Sequence, residues 1–323
     1  MTTAILLINL GTPAAPTPEA LRSYLAEFLW DRRVVDLPRL PWWLILHGII
    51  LRTRPAKSAA KYAKVWTDEG SPLKVHTERQ AKLLRGYLGE RGRRETPVAW
   101  AMRYGAPSVG TVLDELQQAG VNRVIVLPLY PQFSNSTTAS SLDAVQAWQA
   151  RNPDGPRIES ISGYHDHPAY IEALAASIEG HWQRNGRADR LLMSFHGIPQ
   201  RAADKGDPYP EQCRETAALL AARLQLTADS WLLTFQSRFG PAQWLQPYTQ
   251  ATLEQLASEG LKSVDVVCPG FSADCLETLE EISLECRTAF LGAGGGDFRY
   301  IPCLNEDDAW IAALTDIVFP RLD

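Results

Sequence analysis

Cysteine is scarce in this chain: 5 residues in 323. The number is odd, no CxxC pair occurs, and Cys213, Cys268, Cys275, Cys286 and Cys303 are widely spaced. That excludes a disulfide framework and a zinc ribbon and predicts reduced thiols in the cytoplasm. A long hydrophobic run is missing too. No stretch approaches the ~18–20 apolar residues that a membrane span needs. The best one, Leu37–Leu51, contains Pro38, Arg39, Pro41 and His47, so it is expected to lie on an inner-membrane surface rather than cross it. The apolar residues near the N-terminus have no Lys or Arg before them and are too few for a signal peptide. A basic excess is absent: the formal net charge is −5, which argues against nucleic-acid binding through bulk charge. No GxGxxG follows a strand, no GxxxxGK[ST] occurs, and the Gly292–Gly296 cluster has no Lys after it. A sugar- or nucleotide-binding domain would want such a phosphate loop.

What is present reads as a globular protein, 45% apolar and 21% charged, long enough for two domains. Short apolar, β-branched runs alternate with helical patterns. The runs are Ile5–Leu10, Pro97–Met102, Arg123–Leu127, Arg157–Ser162, Leu191–Phe195, Trp231–Phe235, Ser263–Val267 and Phe298–Ile301. Several are apolar on both faces, as in covered parallel sheets. This rhythm predicts an α/β protein with parallel sheets. The two groups of four strands look alike. Asn9-Leu10-Gly11-Thr12-Pro13 follows the first strand of one group, and His196-Gly197-Ile198-Pro199 follows that of the other. The third strands end at Pro128…Phe133-Ser134 and Pro269…Phe271-Ser272. A duplicated domain explains this, with about 45 extra residues in the first half, near Trp30–Ser71. The expected boundaries are 1–162 and 163–323, the first domain carrying an apolar insertion at about 30–71 and the last helix packing back on it. Ligands of such sheets bind beyond the strands' carboxyl ends. A cleft there would collect His196, the Ser134–Thr138 loop, Gln236–Arg238 and Ser272–Glu277.

His196 leaves an apolar strand into a tight turn, where it can accept a proton, ligate a metal or simply tie down the turn. Asp274 and Glu277 have the spacing of a helix cap. Glu277, Glu281 and Glu285 recur every four residues and stack on one face of an α-helix. Like charges so placed repel; the stripe is either a solvated face or a track for cations and protons. Carboxylate oxygen and imidazole suit Fe(II), though no local metal motif supports a site. His165 and His167 sit in a polar loop and read as surface residues. Trp244 is either core or a flat wall for a flat ligand. The cations after the apolar stretch, Arg52, Arg54, Lys57, Lys61 and Lys64, would suit an amphiphile with carboxylates.

Taken together these blocks resemble ferrochelatase, the enzyme that inserts Fe(II) into protoporphyrin IX. They run in order from Leu7-Ile8-Asn9-Leu10-Gly11-Thr12-Pro13 through Gly70-Ser71-Pro72-Leu73 and Pro128-Leu129-Tyr130-Pro131-Gln132-Phe133-Ser134. Then come Ser194-Phe195-His196-Gly197-Ile198-Pro199, Gly206-Asp207-Pro208-Tyr209-Pro210, Phe235-Gln236-Ser237-Arg238-Phe239-Gly240-Pro241 and Cys268-Pro269-Gly270-Phe271-Ser272-Ala273-Asp274-Cys275-Leu276-Glu277. The resemblance implies a chelatase-type α/β fold, two Rossmann-like domains with parallel four-stranded sheets and a cleft between them, and haem formation with release of two protons. It implies that His196 and Glu277 are catalytic and meet the metal, Glu277 facing His196 across the cleft. Asp274, Glu281 and Glu285 would relay metal or protons. Leu10, Arg103, Tyr104 and Trp244 would line the porphyrin, with Arg54, Lys57 and Ser71 near its propionates and Leu37–Leu51 forming an apolar lip. The implied partners are protoporphyrin IX and Fe(II) as substrates, a membrane surface, and the preceding pathway enzyme in transient contact. No permanent cofactor is implied. Some members hold a [2Fe–2S] cluster, but Asn135 stands at the matching loop position and no cysteine follows Cys303, so none is expected. Many members have His where this chain has Cys275. Coproporphyrin or cobalt chelation on the same fold is the alternative reaction, and a porphyrin or haem carrier the alternative class. Tyr130-Pro131-Gln132-Phe133 resembles the protoporphyrin branch, and a carrier needs no base opposite an acidic stripe.

Overall fold

The computed structural model describes residues 2–322. The chain divides into two compact units, Met1–Gly163 with Leu314–Asp323, and Tyr164–Ala313.

In the first unit β1 (Thr3–Gly11) is an inner strand of a four-stranded sheet. It pairs in parallel with β2 (Val98–Tyr104) and β3 (Arg123–Pro128), and β3 pairs with β4 (Arg157–Ser160), giving the order β2-β1-β3-β4. Ala4–Ile8 and Val124–Leu127 are wholly buried, because helices cover both faces of a parallel sheet. One covering helix shows how sequence dictates this. Ser108 caps it by accepting from the Thr111 N–H, and over Val109–Gln118 the residues Val109, Val112, Leu113 and Leu116 are buried, one helical face facing the sheet. Its neighbour, Ser140–Arg151, buries Trp148, whose indole N–H donates to Asp114 at 2.7 Å.

The first helix, Pro18–Trp30, begins with Thr17 as N-cap and a proline at its first position. Beyond it the apolar stretch folds as three joined pieces: Arg39–Ile45, a π-wound turn over Leu46–Ile50, and Leu51–Val65. Trp42, Leu46, Ile50 and Leu51 point inward, and the Trp42 indole donates to the Leu29 carbonyl at 2.8 Å. Leu40, Trp43, Leu44, Ile45 and Ile49 point outward, Leu40 being 73% exposed. The stretch is two-faced rather than buried all round. Among the described residues no helix is long and apolar enough to cross a membrane.

The second unit repeats the plan. β5 (Arg190–His196) pairs with β6 (Trp231–Gln236) and β7 (Ser263–Val267), and β7 with β8 (Asp297–Tyr300). All pairs are parallel and the order is β6-β5-β7-β8. The identical strand order in two units of one chain is what the paired turn motifs predict.

Candidate active site

β5 ends in His196, and the chain leaves the strand through Gly197 and Ile198 before the short helix that begins at Gln200. The Gly197 N–H donates to the Gln236 carbonyl at 2.8 Å. A Cβ on Gly197 would lie 2.9 Å from that oxygen and 3.3 Å from the Trp244 ring, so only glycine allows the strands to close up here. The imidazole is half-buried, its ring centroid 6.4 Å from those of Trp244 and Phe271. Its Nδ1 lies 2.6 Å from the Gly197 carbonyl oxygen. A carbonyl only accepts, so Nδ1 carries the proton and Nε2 of the neutral ring keeps a lone pair. This bond to the backbone therefore fixes both tautomer and ring orientation.

The acidic segment Glu277–Cys286 is π-wound, not α-helical as the four-residue spacing suggests. Such wide turns often mark functional sites. Glu277 and Glu281 are half-buried and Glu285 is exposed, so the stripe runs from the interior toward solvent. Glu280, off the stripe, is the most deeply buried acid of the segment. Glu281 accepts from the Ser237 backbone N–H on Oε1 and from the Ser237 hydroxyl on Oε2, both at 2.6 Å. Burial raises its pKa above the usual carboxylate range. The Ser237 bonds and, whenever the imidazole is protonated, the positive charge of His196 pull the other way, and the charge of Glu277 adds to the rise. These three groups thus share one electrostatic neighbourhood.

Gln236 anchors the start of the π-wound segment. Its Nε2 donates to the Glu277 carbonyl at 2.7 Å while its Oε1 accepts from the Ser194 hydroxyl at 2.8 Å. Ser194 continues through Thr249 to Thr234. This buried polar chain ties β5, β6 and the acidic segment together. Trp244 donates its indole N–H to the Phe239 carbonyl at 2.8 Å, leaving the ring half-buried beside His196.

Asp274 is buried at the start of the acidic segment and fully hydrogen-bonded. Its Oδ1 accepts from the Tyr300 hydroxyl at 2.5 Å and from the Thr278 hydroxyl at 2.9 Å, and its Oδ2 accepts from Asn305 at 2.7 Å. Asn305 also accepts from the Asp274 N–H at 2.8 Å. With both oxygens committed, Asp274 anchors the segment. Cys275 is buried, and burial with the nearby charge of Glu277 pushes its thiol well above its ordinary pKa. A protonated thiol is a poor metal ligand.

In the first unit Leu10 is half-buried where β1 ends. Ser71 is buried, accepting from the Thr12 hydroxyl at 2.7 Å. Arg54 is half-buried, burial lowering its pKa, and Lys57 is exposed. Arg103 and Tyr104 close β2. Arg103 keeps part of its side chain open, whereas Tyr104 is wholly buried, donating its hydroxyl to Asp31 at 2.8 Å. Tyr104 therefore supports its neighbour and offers no face to a ligand. His165 turns out half-buried, its Nε2 3.0 Å from Glu215. Ser237, Gln236, Asn305 and Asp31 gave no sequence signal of these particular roles, which depend on contacts across tens of residues.

Both sheets, their order and the strand-end site define a chelatase-type α/β protein. Among solved structures, SirB from Bacillus subtilis with Fe3+ superposes with a TM-score of 0.57 at 13% identity, over 99% of this chain and 95% of that one. CbiX, the terminal enzyme for biosynthesis of siroheme in denitrifying bacteria, gives 0.53 at 13% identity over 99% and 100%. At sequence level the ferrochelatase family model matches residues 2–322. The ferrochelatases of Aromatoleum aromaticum and Methylibium petroleiphilum are each 61% identical, over 99% of this chain and 88% of theirs. The chain belongs to the ferrochelatase family.

Proposed function

We propose that the protein inserts Fe(II) into protoporphyrin IX, releasing two protons, and that His196 and Glu277 are its catalytic pair. Metallation must remove two pyrrole protons and strip water from the ion. A flat macrocycle keeps its nitrogen lone pairs in the ring plane, and binding that puckers it turns remote binding energy into reactivity. His196 Nε2 accepts pyrrole protons. Glu281, kept easy to protonate by burial, passes them along the stripe toward exposed Glu285. Glu277 meets the incoming ion, for which carboxylate oxygen and imidazole are suitable ligands. Leu10, Arg103 and Trp244 contact the macrocycle, and Arg54 and Lys57 its carboxylates. Ser71 and Tyr104 back these contacts from the core. Asp274 holds the π-wound segment in place. Five free, buried cysteines suit a cytoplasmic protein.

The bond from His196 Nδ1 to Gly197 carries this reading. It spends the nitrogen that faces the backbone and leaves the other basic. The test is anaerobic Fe(II) insertion with protoporphyrin IX and coproporphyrin III side by side, on the parent and on His196→Ala. The expected result is haem from protoporphyrin, and a loss of about 10²–10⁴-fold in the variant with porphyrin binding retained. Near-normal turnover by the variant removes His196 from the chemistry. A preference for coproporphyrin changes the substrate, and tight binding without insertion by the parent makes the protein a carrier.

A further inference from the structure

Asp31 follows directly on the first helix, at the root of the apolar insertion, and its side chain is only 10% exposed. Its carboxylate gathers four donors. Oδ2 accepts from Arg103 Nη2 at 2.6 Å, from the Tyr104 hydroxyl at 2.8 Å and from the Ser140 hydroxyl at 2.6 Å; Oδ1 accepts from the Arg33 N–H at 2.7 Å. Ser140 also takes Arg103 Nε on its carbonyl and its hydroxyl, both at 2.8 Å. A guanidinium offers five N–H donors in a rigid fork. Here the edge formed by Nε and Nη2 is spent on Asp31 and Ser140. The Nη1 end makes no hydrogen bond among the described residues and is not shut away from solvent. The guanidinium carbon also sits 4.5 Å from the centroid of the Tyr104 ring. A long side chain that would otherwise sample many rotamers is held in one, with one edge anchored and the other open. The ordering cost is met before a ligand arrives.

We infer that Asp31, helped by Ser140, is a positioning residue for porphyrin binding: it aims the open edge of Arg103 at the substrate. The inference rests on the reading above that Arg103 contacts the macrocycle. Asp31 itself touches no substrate. Its charge balances the guanidinium, and its geometry selects which edge stays free.

The experiment uses the full-length protein: protoporphyrin IX titrations followed by tryptophan fluorescence, with steady-state kinetics for both substrates. The variants are Asp31→Asn, Asp31→Glu, Arg103→Leu and Asp31→Asn with Arg103→Leu. Asp31→Asn is expected to raise the porphyrin Kd and KM about tenfold while the KM for Fe(II) stays put. Asp31→Glu is expected to regain part of the loss. The double variant is expected to be no worse than Arg103→Leu alone, as for residues acting through one another. A parent-like porphyrin Kd in Asp31→Asn, or additive losses in the double variant, overturns the proposal. A parent-like Kd in Arg103→Leu overturns the underlying reading of Arg103 instead. If Asp31→Asn does not fold, Ser140→Ala, which removes one acceptor from Arg103, is expected to raise the porphyrin KM about threefold; an unchanged KM there counts against the proposal.

Discussion

Ser237 grips both carboxylate oxygens of Glu281, one by its backbone N–H and one by its hydroxyl, at 2.6 Å each. The backbone of Ser237 lies in the left-handed region at φ 65°, uncommon for a residue with a side chain. The two observations belong together, because this turn is what points the N–H and the hydroxyl the same way. A half-buried acid is held by a residue in a strained backbone conformation, a combination associated with functional sites.

Glu281→Gln is therefore expected to separate stability from activity. Burial raises the Glu281 pKa in the folded state. A raised carboxyl favours folding at low pH, and that contribution is lost as pH rises through the folded pKa. Above it the charged form weighs against folding, and glutamine carries no such charge. The thermal midpoint of the variant relative to the parent should rise between pH 4 and pH 8. Insertion should fall by about 10–100-fold if this carboxyl relays protons. Thermal melts and haem formation across that pH range read both. A variant whose relative stability is flat with pH would show that the carboxyl is not perturbed.

Gly11 and Gly86 should respond in opposite directions to the same change. Gly11 has φ 113°, and a Cβ there would lie 1.8 Å from the Tyr104 carbonyl oxygen, which is backbone and cannot swing aside. Gly11→Ala must part β1 from β2 next to Arg103, so soluble yield, thermal midpoint and porphyrin affinity should all drop. Gly86 lies about one turn before the end of the helix Pro72–Glu90, and a Cβ there would meet nothing within 4 Å. Gly86→Ala should stabilise by about 0.5–1 kcal/mol and leave turnover alone. Denaturant unfolding of the two variants decides.

The contrast between those glycines shows what a sequence discloses. β1, β3 and β5 were legible because strands buried on both faces are apolar nearly throughout and end in turn residues, whereas the short, polar edge strands β4 and β8 were marked by their place in the alternation of strand and helix. His196 was legible because it breaks such a run at the end where ligands bind. The π winding of Glu277–Cys286 was not, since a four-residue spacing fits an α-helix as readily. Asp274 has the spacing of a local cap, and its partners Tyr300 and Asn305, 26 and 31 residues away, could not be read from that spacing. Asp31, in Trp30-Asp31-Arg32-Arg33, belongs to no local motif. Its role depends on Arg103 and Ser140, which only the folded sheet brings to it. Local chemistry is written in local sequence, while the groups that position it are contributed by topology.

Iron and acid-labile sulfide should be absent from the purified protein in stoichiometric amount. Four thiolates placed together are needed for a cluster. The five cysteines are each buried and free, and Asn135, at the loop position where some relatives would place a thiolate, accepts from Arg33 Nη1 at 3.3 Å. Stoichiometric sulfide, or the visible absorption of a [2Fe–2S] centre, would refute this.

The outward row Leu40, Trp43, Leu44, Ile45 and Ile49 should seat the protein on a bilayer surface. A contiguous apolar face on a globular domain marks an interaction surface. Exposed Arg52 and Lys57 follow it in the chain, and basic residues beside an apolar face favour anionic lipid. Sedimentation with vesicles of phosphatidylglycerol should therefore exceed that with phosphatidylcholine and weaken with salt, because surface charge is screened. Trp43→Ser with Leu44→Ser should abolish it while the thermal midpoint barely moves, since these side chains are already in water. Trp42→Ser differs by one position but removes a buried ring and its bond to Leu29, at about 3–5 kcal/mol. If the outward pair can be replaced with no loss of vesicle binding, the row is only a solvent-facing rim for the substrate. The same substitutions should then raise the porphyrin KM instead.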